Sequence, residues 1–236
     1  MMIFRDILGY LNGKKFHNGL LVDIPYSDLM FRNNYLLNIS KEKKILHVGF
    51  VDHLQLIDKK IATNNWLHNK LVKVSKKCIG VDINKEGVEY LQKKYKIENI
   101  FALDILNDEF PSEIANEQYD YLLLPDVIEH IGNPVLFLSK MKKRFPNVNR
   151  FVITTPNALR LDNIKYAFKS KECINTDHRY WFTPYTLSKI LIDSGYELHN
   201  ILFAEHASRL SRRKIIKNIL IKKYPMLRDT IVIEAQ

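Results

Sequence analysis

Lys44-Ile45-Leu46-His47-Val48-Gly49-Phe50-Val51-Asp52-His53 reads as a buried strand running into a turn at Gly49. An amphipathic stretch follows from Leu56 through Trp66 to Val74. Strand, tight turn and helix N-terminus in that order are how an α/β sheet usually meets a nucleotide-type cofactor. The run is therefore expected to be the first strand of such a sheet. A second strand, Lys77-Cys78-Ile79-Gly80-Val81-Asp82, ends on an acid placed to grip a ribose diol.

Working outward, strand and helix patterns alternate. After Asp82 come a helix over Lys85–Tyr95, strands Ile100–Leu103 and Tyr121–Leu124, a helix over Pro134–Phe145 and a strand Phe151–Thr154. Nearly continuous apolar strands separated by helices indicate a parallel sheet covered on both faces, joined by right-handed crossovers. Beyond Pro156 the pattern loosens into a helix Pro184–Ser194, closed by Gly195, and strands Leu198–Ala204 and Thr230–Glu234. The basic segment between those two strands fits an antiparallel return with a helix inserted. The expected architecture is α/β, a Rossmann-like seven-stranded, mostly parallel sheet with its last strand antiparallel and helices on both faces. Residues 1–40, with helices near Ile3–Leu11 and Asp28–Asn38, read as an N-terminal helical cap. Residues 41–236 read as the main domain, with a basic insert around 205–228.

The 236 residues, 46% of them hydrophobic, suit one sizeable core. Two cysteines, Cys78 and Cys173, exclude a disulfide framework and a thiolate metal knot. No apolar run approaches bilayer length, and Met1–Asp6 has no signal-peptide pattern, so a cytoplasmic protein is expected. The net charge of +10 invites an anionic partner: nucleic acid, a phosphorylated sugar carrier or a lipid surface. A solubilising surface explains the same number. Arg209, Arg212, Arg213, Lys214, Lys217, Lys222 and Lys223 are interleaved with Leu210, Ile215, Ile216, Ile219 and Leu220. Segment 209–223 thus reads either as a peripheral contact with an anionic membrane, at the inner face, or as a surface helix packed on the sheet.

Two further motifs are Asp126-Val127-Ile128-Glu129-His130-Ile131 and, later, His178-Arg179-Tyr180-Trp181-Phe182-Thr183-Pro184-Tyr185-Thr186-Leu187. With them, the chain from Ile45 to Tyr196 resembles a class I S-adenosylmethionine-dependent methyltransferase. The likeness is to the group with an Asp-Val-Ile-Glu-His-Ile motif after the fourth strand and a late His-x-x-x-Phe-Thr-Pro-x-x-Leu. The resemblance implies S-adenosyl-L-methionine as cofactor. Gly49 would lie at its methionine end, Asp82 and Ile83 at the ribose, Asp104 at the adenine amine with Ile105 on the ring, and Asp126 in the pocket floor. Asp82 has a second reading, less favoured than the ribose role, as an N-cap for the helix from Lys85, a task Asn84 also suits, and Asp104 one as a solvated loop acid. The chain departs from the family at the turn, where Val51 and His53 stand for two of three glycines and His47 for an acid. Glycine serves there because backbone must approach the cofactor and visit positive φ. The turn must then have another shape, or the chain is a non-catalytic scaffold that keeps the sheet.

Asp126, Glu129 and His130 stand at i, i+3 and i+4, on one face if the segment is helical. In one reading the segment floors the cofactor pocket and His130 serves an acceptor hydroxyl. In another it resembles the metal site of ubiquinone-pathway O-methyltransferases and of small-RNA 2′-O-methyltransferases, which use Glu-x-x-Glu-His and, in the RNA enzymes, a later histidine such as His178. In a third, the acids face a helix dipole. Methyl transfer is an in-line displacement, and an alcohol acceptor must also lose a proton, which suits imidazole. The expected catalytic residues are His130, His178 and Glu129, with no resident metal. Tyr180, Trp181 and Phe182 read as a stacking surface for a pyranose or as core. The functional expectation is an O-methyltransferase acting on a sugar or cell-envelope glycan hydroxyl. The alternatives are an RNA 2′-O-methyltransferase, whose basic surface would meet phosphates, and the scaffold.

Overall fold

The structure, a computed structural model, describes residues 2–206, 210–211 and 214–236. Arg209, Arg212 and Arg213 of the basic run lie outside the described residues. The chain opens with α1 (Met2–Leu11), β1 (Met30–Phe31), α2 (Arg32–Ile39), β2 (Lys44–Val48), α3 (Leu54–Ala62), α4 (Leu67–Val74) and β3 (Lys77–Asp82). It continues with α5 (Lys85–Tyr95), β4 (Ile100–Ala102), α6 (Ser112–Ala115), β5 (Tyr119–Pro125), α7 (Pro134–Arg144) and β6 (Val148–Pro156). Then come α8 (Leu161–Ala167), α9 (Pro184–Asp193), β7 (Leu198–Glu205), α10 (Ile215–Lys223) and β8 (Thr230–Ala235). The strand order is β1-β7-β8-β6-β5-β2-β3-β4, a mostly parallel, Rossmann-like sheet.

Among the described residues, eight strands replace the expected seven. The addition is β1, whose two residues pair Met30 with Ala204 and Phe31 with Glu205. A strand so short has no alternation to betray it in sequence. It also makes Lys44–Val48 the second strand of the chain, not the first. The single helix expected to Val74 is two, broken where Asn64 takes φ 51° and Trp66 turns into the core to donate its indole N–H to the Phe50 carbonyl at 3.1 Å.

The fold divides into two compact units. One comprises residues 35–125 and 140–152. Its strands β4, β3, β2 and β5 run parallel, with Ile45 beside both Cys78 and Tyr121. Ile45, Leu46 and Val48 are all buried, as a strand covered on both faces requires. Phe50, Ile57, Trp66, Val88, Leu91 and Ile100 form a core cluster, each contributing about 1.5–3 kcal/mol on burial. His47 and His68 stack inside it with their Nδ1 atoms 3.2 Å apart. Burial holds His68 down to about 4 and pushes the Cys78 thiol up to about 12.

The other unit comprises residues 1–34, 126–139 and 153–236. Its β7 and β8 pair antiparallel, Phe203 opposite Ile231, and α10 lies in the connection between them. Arg228 is fully buried there. Its guanidinium donates to the carbonyls of Ser27, Asp28, Phe203 and Ile221 and to the Ser27 hydroxyl, so a planar fork of donors is spent almost wholly on backbone. Helix α9 starts at a Thr183–Thr186 capping box with Pro184 at its first turn. It ends before Gly195, whose φ of +85° suits a left-handed cap. Among the described residues no helix is long and apolar enough to cross a membrane.

Candidate active site

In the first unit, β2 leads into Gly49 at φ +74°, a conformation that favours glycine. The two residues after it are bulky, and the fold makes room for them elsewhere. A Cβ on Gly87 would collide with Val51 Cγ1, and one on Gly80 would lie 2.9 Å from Phe50 Cδ1 and 2.8 Å from His68 Cε1. The glycines missing from the turn are matched by glycines in β3 and α5 beneath it. Val51 is not at positive φ, so its β-branch is unstrained. Its N–H donates to Asp82 Oδ2 at 2.8 Å, and the Asn84 N–H donates to Oδ1 at 2.9 Å. Asp82 thus ties the turn to the end of β3, while Asn84 caps α5 through Gly87 N–H. Burial raises the Asp82 pKa against these hydrogen bonds.

These residues fit an adenosyl cofactor. A carboxylate has about four acceptor positions, so Asp82 keeps capacity for a diol. Ile83 beside it is 74% exposed, an apolar surface available to a ring. Asp104 accepts from the Leu106 N–H at 2.9 Å and from the Asn107 amide at 2.7 Å, and these bonds, Leu106 first, lower its pKa. Ile105, expected on the adenine, is buried.

In the second unit, the segment after Pro125 is not the helix that the i, i+3, i+4 spacing allowed. Asp126 takes φ +55°, and only one 3₁₀ turn, Ile128–His130, follows. The two acids therefore diverge. Asp126 pairs with Arg32 and accepts from Thr154 Oγ1 at 2.9 Å, with His206 Nδ1 at 3.9 Å. Glu129 is fully buried and accepts from Thr155 Oγ1 at 3.0 Å through Oε2, while its Oε1 has no hydrogen-bond partner. Burial, and then Asp126, push the Glu129 carboxyl well above the usual carboxylate range.

The loop of the late motif is laced onto this turn. The Arg179 N–H donates to the Glu129 carbonyl at 2.8 Å, Arg179 Nε to the His130 carbonyl at 3.0 Å, and the Tyr180 hydroxyl to the Gly132 carbonyl at 2.8 Å. These bonds bring His178 Nε2 to 4.0 Å from Glu129 Oε1, with the His130 and His178 rings edge to face at 4.8 Å. His130 Nδ1 lies 3.0 Å from the Asp177 carbonyl, which can only accept, so Nδ1 carries the proton and Nε2 offers a lone pair. Burial, followed by the neighbouring His130, lowers the His178 pKa, and its Nδ1 has no partner. Glu129, His130 and His178 place one donor atom each within 4.8 Å of one another. Their chemistry suits a proton acceptor or a divalent cation.

The aromatic triplet splits: Phe182 is core, while Trp181 lies between the Arg160 guanidinium, 4.9 Å from its ring, and His178 at 6.2 Å. No spacing in the sequence ties Arg32, Thr155 and Arg160 to the motifs; the fold alone brings them here.

A family model described as "Methyltransferase domain" matches residues 62–201, more than half of the chain. No curated protein matches. Among solved structures, a SAM-dependent methyltransferase from Aquifex aeolicus superposes with a TM-score of 0.53 at 14% identity, covering 87% of this chain and 89% of that one. The small RNA methyltransferase HEN1 superposes at 0.57 and 15% identity over 93% of this chain, but over 27% of its own. The methyltransferase domain of bacterial CtHen1 gives 0.52 at 16% identity, over 87% and 97%. The family model, matching more than half of the chain, places it in the methyltransferase-domain family, as an enzyme whose cofactor is S-adenosylmethionine.

Proposed function

We propose that this chain methylates a hydroxyl of a sugar, with His130, His178 and Glu129 serving the acceptor. The observation that carries the reading is the convergence of Glu129, His130 and His178, one donor atom of each within 4.8 Å of the others, with Glu129 Oε1 lacking a hydrogen-bond partner. When bound, S-adenosylmethionine supplies an electrophilic methyl group. His130, its proton held on Nδ1 by Asp177, takes the hydroxyl proton at Nε2 as the acceptor oxygen becomes nucleophilic. His178 and Glu129 orient the acceptor. Trp181, with Arg160 against it, offers an aromatic face and a cation beside these groups, a pairing suited to a sugar ring carrying phosphate. A glycan intermediate of the cell envelope, in a cytoplasmic enzyme, is the acceptor class this reading takes.

A second reading is favoured by the same donor set: a divalent cation held by Glu129, His130 and His178, and a ribose 2′-hydroxyl of RNA as acceptor. HEN1, of similar fold, is a small RNA methyltransferase. Asp126 weakens this reading, since its carboxylate is taken by Arg32 and Thr154. Transfer of labelled methyl to phosphorylated glycans and to short RNAs, each with EDTA or added Mn²⁺, separates the two. EDTA-resistant labelling of glycans, lost in His130→Gln, supports the first reading. EDTA-sensitive labelling of RNA 3′ ends would replace it with the second. Labelling confined to amines or carboxylates would end both.

A further inference from the structure

The geometry points to α10 as a docking surface for an anionic lipid bilayer. Helix α10 is inverted with respect to an ordinary surface helix. At about 100° per residue, Ile215, Ile216, Ile219, Lys222 and Lys223 share an arc of about 120°. That arc faces outward: Ile215, Ile216 and Ile219 are 66%, 76% and 60% exposed, and both lysines are exposed. The opposite side carries Lys217 and the buried Ile221. Lys217 Nζ lies 3.1 Å from Asp162, 3.3 Å from Asp229 and 3.7 Å from Glu205. A cation turned inward and clasped by three carboxylates fixes the rotation of the helix. The isoleucines are consequently held in water, where each costs transfer free energy that a partner would recover.

The flanking charge selects the partner. Lys214, Lys222 and Lys223 are exposed around the apolar arc, and no acid occurs between Glu205 and Asp229. Tyr224 follows, 44% exposed with Lys223 Nζ 5.3 Å from its ring, the amphipathic type that prefers a membrane interface. Apolar side chains rimmed by lysine, lying along one helix, suit insertion at the headgroup level of an anionic leaflet. A second copy of the chain would bring like charges together. RNA would be met by stacking aromatics and cations, not by three isoleucines. This inference is independent of the acceptor reading above.

Co-sedimentation of the full chain with vesicles tests it, comparing phosphatidylcholine alone with vesicles containing about a third phosphatidylglycerol. The expected result is binding to the anionic vesicles only, weakened at high salt. Binding should fall about tenfold or more in Ile216→Ser/Ile219→Ser and about fivefold per charge in Lys222→Glu/Lys223→Glu. Both variants alter exposed side chains, and unchanged thermal midpoints would show the fold intact. Failure of the wild type to bind anionic vesicles at low salt overturns the proposal, as does equal binding by the isoleucine variant. A dimer in solution, broken by the same two serines, would assign the face to a second copy. Retention of RNA abolished by those serines would assign it to nucleic acid.

Discussion

At Gly87 the usual rule for glycine in a helix reverses. Alanine there would ordinarily gain close to 1 kcal/mol in helix propensity. Here its Cβ would collide with Val51 Cγ1, so Gly87→Ala should cost about 1–3 kcal/mol instead. Most of that loss should vanish in a Val51→Ala background, a coupling that urea titrations of the four proteins would read directly. A stabilising Gly87→Ala would mean that the turn does not rest on α5 as described. Glu129 offers a test of opposite kind. Its folded-state pKa is raised from 4.5 mainly by burial, so the fold keeps a proton that the unfolded chain releases as pH rises above that value. Stability drawn from this group is thus full below about 4.5 and declines as pH rises toward its folded value. The substitution Glu129→Gln installs a neutral isostere, which escapes the decline. The variant should melt near the wild type at pH 4.5 and a few degrees above it at pH 8, at about 2–4 °C per kcal/mol, while methyl transfer falls. Equal melting at both pH values would place Glu129 ionised in the fold.

Among the elements, the connection from β7 to β8 is pinned by Arg228. Four backbone carbonyls accept from one guanidinium. Lysine keeps the charge but not the fork, so Arg228→Lys should leave buried acceptors unpaired and cost about 3 kcal/mol or more. Chemical denaturation would measure it, and a loss below about 0.5 kcal/mol, typical of a surface change, would contradict the bonding described. The 3₁₀ turn at Ile128–His130 shows the same dependence on long-range partners. Its spacing suggested a helix with three groups on one face, yet the carbonyls of Glu129, His130 and Gly132 are committed to Arg179 and Tyr180. Periodicity was informative where an element satisfies its own hydrogen bonds, as in α5, whose bounds Lys85–Tyr95 match the pattern. It was uninformative where distant residues satisfy them, as in β1 and in this turn.

For the whole molecule, two bulk measurements follow. His68 is held to about 4 by burial against 6.5 in the unfolded chain, so stability linked to it is complete above 6.5 and is lost as pH falls toward 4. The slope should approach about 1.4 kcal/mol per pH unit at most and flatten in His68→Leu; an unaltered acid limb in that variant would locate the sensitivity elsewhere. S-adenosylhomocysteine at about 100-fold its dissociation constant should add roughly 2.7 kcal/mol to stability, seen as a higher melting temperature that is lost in Asp82→Asn. No shift in the wild type would sever Asp82 and its turn from the cofactor. The alternation of strands and helices from Ile45 onward, the antiparallel final strand and the family were legible in the sequence, because apolar periodicity and the two motifs are local, and local pattern sets which elements form. Which acid of Asp126 and Glu129 faces His178, where Phe50 and Val51 find room, and which side of α10 meets water are relations between residues far apart in the chain. Packing and the pairing of buried charges decide such relations, and they act only once the elements are assembled.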